Sequence, residues 1–170
     1  MSETTEAEAS TEHVVAMLRE RLYGAISCLA TLVVLTRYTG DDTSAWARVL
    51  DVAVTMGGLW AASLLADWVA HTAVHERAPR GLEALRMLQA SGQILLAGVL
   101  PLLALGAAGI GLLQTHSAMW VAKWILVGEL ALIALLAVRR TRLRWWQQIV
   151  TVLLLTGVGL LVIGIKVLAH

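Results

Sequence analysis

The chain has 170 residues, of which 58% are apolar and only 15% charged, with a formal net charge of +1; soluble proteins average roughly 45–50% and about 25%. This composition excludes a disordered chain, and without a basic excess it argues against a nucleic-acid module as well as a water-soluble enzyme. At about 20 residues per bilayer crossing, five helical spans would use about 100 residues and leave a tail and short loops.

In chain order, residues 1–20 carry Glu3, Glu6, Glu8 and Glu12 ahead of any apolar run. They are expected as an acidic, disordered cytoplasmic tail, and the absence of a basic start keeps the first apolar run in the mature protein. Thr5 and Glu8 fit a weak capping box, and residues 13–21 read as a helical lead-in. Residues 21–170 are expected as one all-α domain, a five-helix transmembrane bundle with spans at about 22–38, 49–72, 87–113, 118–138 and 147–168.

The first of these spans is short, with 15 uncharged residues at 22–36, and needs Arg37 and Tyr38 at headgroup depth. The second encloses Asp51 and Asp67, so lipid cannot surround it on every side. A charged turn at 76–81, with Pro79 and Gly81, precedes an uncharged run of 27 residues at 87–113, long enough to tilt or to kink at Pro101. The fourth span encloses Lys123 and Glu129 and ends at Arg139, Arg140, Arg142 and Arg144; Trp145 and Trp146 then supply an interfacial belt before the fifth span.

Nine of the 13 Lys and Arg residues fall on the N-terminal side of this topology and four on the other. The positive-inside rule therefore orients the N-terminus to the cytoplasm and the C-terminus outside, in a bacterial-type cytoplasmic (inner) membrane. The single cysteine, Cys28, lies in an apolar run and reads as a packing residue.

Two features point to chemistry. Glu129 falls one residue past the midpoint of its span, where an ionised carboxylate costs about 3 kcal/mol on insertion scales. It must be neutral, paired with another helix, or exposed to water, so it is either a structural acid or a proton or cation site. The second feature is the face formed by Trp60, Ser63, Asp67, His71 and His75, spaced by three and four residues. Asp67, His71 and His75 form a polar cap if Asp67 pairs with Arg21 or Arg86. They are otherwise proton-handling groups or metal ligands.

Other polar groups sort by depth. Gln89, Ser91 and Gln93 enter the third span from the side of Asp67, whereas Asp51, Lys123 and Lys166 approach the opposite surface. Snorkelling lysines account for the latter set, with an Asp51–lysine pair as the alternative. Small residues at Ala104 and Ala108, Ala107 and Gly111, and Gly157 and Gly159 mark expected helix-packing surfaces. Phosphate loops, Cys-x-x-Cys pairs and nucleophile elbows are absent from the sequence, so no catalytic residue and no cofactor are assigned.

The segments Arg21-Leu22-Tyr23-Gly24, Trp68-Val69-Ala70-His71 and Lys166-Val167-Leu168-Ala169-His170 resemble a family of small uncharacterised five-span bacterial integral-membrane proteins. This resemblance covers most of the chain from Arg21 onward and implies a fold without an assigned activity. The five-span count also resembles vacuolar iron transporters, whose first two spans line an ion path with acidic and methionine residues. Asp51, Met56 and Asp67 are the matching candidates here, and the first span supplies no acid.

Three functions remain open on these residues. The chain could translocate protons or cations through Glu129 with the Asp67, His71 and His75 face. It could serve as a structural or interaction subunit with a homo-oligomeric or membrane-protein partner. It could hold a metal or haem at His71 or His75 for redox work. Besides such a partner, the expected environment is the lipid bilayer.

Overall fold

The computed structural model describes residues 2–38 and 44–139, together with the isolated helical positions Trp146, Val150, Leu153 and Gly157. Among these residues the chain is all α, with α1 (Ser2–Tyr38), α2 (Ala45–His75), α3 (Leu82–Gly109) and α4 (Thr115–Arg139). Three of them, α2, α3 and α4, are long and apolar enough to cross a membrane. By length and composition the chain is a membrane protein. The expected first span lies within α1, which is not among those three. The expected fifth, at 147–168, lies outside the described residues apart from its isolated helical positions.

At the N-terminus, where a disordered tail was expected, α1 is helical from Ser2 and runs for 37 residues, roughly 55 Å. Its first half has no glycine or proline and is rich in Glu and Ala. Once the apolar half is helical, propagation back along such residues needs no new nucleus.

The remaining boundaries follow local chemistry. Ser44, with an extended backbone, accepts a hydrogen bond from the Ala47 amide at 3.2 Å and starts α2. Glu76 ends α2 in the left-handed region at φ 52°, and Gly81 at φ 56° opens α3. The intervening turn is the one expected at 76–81. α3 continues as helix through Pro101.

The α1 and α3 helices run against each other and each also packs on both α2 and α4, which occupy the flanks. Gly24 makes the central approach possible, because a Cβ there would stand 2.8 Å from Ile94 Cα and 3.0 Å from its carbonyl oxygen. Cys28, Leu29, Leu32, Met56, Ile94, Leu105, Leu126 and Leu130 fill the space between helices. Outward, Leu50, Val54, Leu65 and Leu103 are each more than 60% exposed, an apolar surface suited to lipid.

The packing glycines differ from those expected. Ala104 and Ala108 do pack against the core. Gly111, however, lies past the end of α3 with φ +81°, so the Ala107–Gly111 step is not a helical stripe. Among the described residues nothing lies within 4 Å of the place where the Gly157 Cβ would be, and Gly159 lies outside them. The close contacts are instead at Gly24 and at Gly109, whose Cβ would stand 2.7 Å from the Trp46 ring.

Candidate functional site

Glu129 lies fourteen residues into α4, roughly 21 Å along it. Its side chain is only 9% exposed. Helical geometry directs it toward α1, where Arg21 Nε donates to Glu129 Oε1 at 2.7 Å. Arg21 Nη1 also donates to Gln93 Oε1 of α3 at 3.3 Å, so one guanidinium joins three helices. The other carboxylate oxygen, Glu129 Oε2, is buried without a hydrogen-bond partner among the described residues.

A second buried acid lies next to Arg21 in the chain. Glu20, 6% exposed, accepts from Arg19 Nε and Nη2 at 3.1 and 2.9 Å and from Ser63 Oγ of α2 at 2.8 Å. Arg19, Glu20, Ser63 and Asp67 line a cleft of about 440 Å³. Glu20, Arg21, Ser63, Gln93 and Glu129 thus form a polar layer across all four helices. It lies nearer the end of the bundle that carries the 76–81 turn than the opposite end.

This arrangement corrects the expected partners. Arg21, a proposed partner of Asp67, is engaged by Glu129. His71 faces α3 across the turn, with Nε2 at 3.6 Å from Glu83 Oε2, and its ring stands 4.4 Å from that of His75. Asp67, His71 and His75 do not form a metal set: among the described residues no group of three His, Cys, Asp or Glu could hold an ion. Four-residue spacing aligns these side chains on one helix face and all three line one cleft, without reaching a three-ligand geometry among the described residues. Trp60 packs against the core, and its Nε1 has no hydrogen-bond partner among the described residues.

At the turn, Arg77 makes a two-pronged pair with Glu83 at 2.6 and 2.8 Å, and that carboxylate lifts the guanidinium's pKa above its already high ordinary value. At the opposite end of the bundle, buried Arg48 donates to the Leu35 carbonyl at 3.0 Å, satisfying one of the terminal acceptors of α1. Lys123 donates to Thr36 Oγ1 at 3.4 Å. Lys166 lies outside the described residues.

Glu20 and the role of Arg21 are what the sequence reading missed; Gln93 was placed on the side of Asp67 but without its partner Arg21. Glu20 and Arg21 stand immediately before the first apolar run, a position that reads as an interfacial flank. Their signal was the adjacency of an acid and a base at the mouth of a span too short to cross alone. No family model, curated protein or solved structure matches the chain.

Proposed function

We propose that this chain is an integral membrane protein with an architectural role. It would act as a small helical subunit whose polar layer fixes α1 against α3 and α4 and whose outer faces meet lipid or a membrane-protein partner. The observation that carries this reading is the 2.7 Å Arg21–Glu129 ion pair. An intramembrane acid without a partner would be a candidate carrier; one held by a guanidinium that also donates to Gln93 is a cross-link between helices. The arginine count supports a cytoplasmic N-terminus and, with five spans, an external C-terminus in the cytoplasmic membrane. A reporter fused after His170 is expected to read as external, and a cytoplasmic reading would refute the orientation or the span count.

A second reading, proton or cation translocation, is favoured by one observation: the buried, unpartnered Glu129 Oε2. Flux across proteoliposomes separates the two. The architectural reading expects no proton or cation flux above empty vesicles and no change with Glu129→Gln. Flux that disappears with Glu129→Gln would replace it with translocation.

A further inference from the structure

Between the polar layer and the 76–81 turn, α1, α2 and α3 border a second, open cleft of about 390 Å³. The described residues place five nitrogen-bearing side chains along it: His13 and Arg19 from α1, His71 and His75 from α2, and Arg86 from α3. Asp67 is the one acid in the lining, and Arg19 is already shared with Glu20. The remaining wall is small and apolar, including Ala16, Ala70 and Val74.

Three features give this cleft a chemical preference. Arg86 is exposed, brings a fixed positive charge and a fork of donors, and makes no ion pair among the described residues. His71 has a side chain only 9% exposed, yet among the described residues its Nε2 has no hydrogen-bond partner; the Glu83 carboxylate oxygen stands at 3.6 Å, beyond hydrogen-bond reach. His75 packs its ring against that of His71 and is itself exposed, adding a second imidazole at the rim. Donors outnumber acceptors, and the position, at the end of α2 and the start of α3, is one where a membrane-embedded bundle meets headgroups. Basic pockets between transmembrane helices at such depth suit phosphate headgroups.

We propose that this cleft is a binding site for a phosphate group, with Arg86, His71 and His75 as its donors and the apolar wall accommodating the atoms attached to the phosphate. The phosphate can come from an anionic phospholipid or from free phosphate. The inference is independent of whether the polar layer is architectural; only the lipid source rests on the membrane reading.

The test uses the full chain purified in uncharged detergent, with thermal unfolding followed by tryptophan fluorescence. Three additions are titrated: phosphatidylglycerol in mixed micelles, phosphatidylcholine in mixed micelles, and inorganic phosphate alone. Stabilisation by phosphatidylglycerol beyond that by phosphatidylcholine supports a lipid phosphate, and stabilisation by inorganic phosphate supports the free anion. Arg86→Gln is expected to weaken the response about fivefold, the usual effect of one basic residue near an anionic surface. Arg80→Gln, in the turn but outside the cleft lining, is expected to leave it unchanged. If Arg86→Gln does not fold, exposed His75→Gln gives the same reading. Equal effects of both lipids with no effect of phosphate would overturn the proposal. So would an Arg80→Gln loss as large as that of Arg86→Gln, which would make the attraction diffuse.

Discussion

Two arginine–carboxylate pairs in this molecule meet at nearly the same distance in very different surroundings, one two-pronged and the other through a single bond. Arg77 and Glu83 meet at 2.6 Å in the exposed turn between α2 and α3, six residues apart in sequence. Arg21 and Glu129 meet at 2.7 Å within the bundle, 108 residues apart, with the acid only 9% exposed. In the turn, water solvates either partner when the other is removed, so the pair adds little. Inside the bundle, loss of one partner strands the other in a poorly solvated place, and breaking such a pair is costly even where forming it gains little over an apolar substitute. The environment sets the worth of each contact, and the inner pair ties the first described helix to the last.

The largest way to break this contrast is Arg21→Ala, which leaves Glu129 buried without its cation. Thermal or denaturant unfolding in detergent is expected to show a loss of about 3–5 kcal/mol. Replacing both residues by leucine should recover much of that loss, because no stranded charge remains. A loss under about 1 kcal/mol for the single variant would place the inner pair in the same class as surface pairs.

A smaller effect is expected one turn along α1. Gly24→Ala pushes a methyl into the Ile94 backbone, which cannot turn aside as a side chain could. The expected cost is about 1–3 kcal/mol, measured in the same unfolding experiment. It should also weaken the Arg21–Gln93 contact, since both residues lie at the same α1–α3 approach. An unchanged midpoint would mean that the two helices are not held this closely. The smallest effect sharpens the comparison from the other side: Arg77→Gln is expected to leave the unfolding midpoint unchanged within error. A clear drop would show that the exposed pair matters more than its solvation implies.

These contrasts also explain what was legible in the sequence. Apolar runs revealed the membrane character and the approximate places of α2, α3 and α4, because length and hydropathy are local properties. The turn between α2 and α3 was legible from Pro79, Gly81 and its charges. Glu129 stood out because a carboxylate amid apolar residues needs an explanation wherever its partner lies. Its partner was not legible: Arg21 is 108 residues away, and spacing within one helix says nothing about which residues another helix brings near. The same limit left Arg21 and Arg86 as alternative partners for Asp67 and kept metal ligation open for Asp67, His71 and His75. Small-residue spacing similarly marked Gly111, whereas the closest backbone approach is made by Gly24, an isolated glycine whose role depends on the path of α3.

A double-mutant cycle on Arg21→Gln and Glu129→Gln, followed by reversible unfolding in a single detergent, measures the inner pair most directly. The predicted result is a coupling free energy of about 2 kcal/mol or more, with the double variant more stable than the sum of the single losses implies. Additivity within about 0.5 kcal/mol would contradict an ion pair that locks α1 to α4.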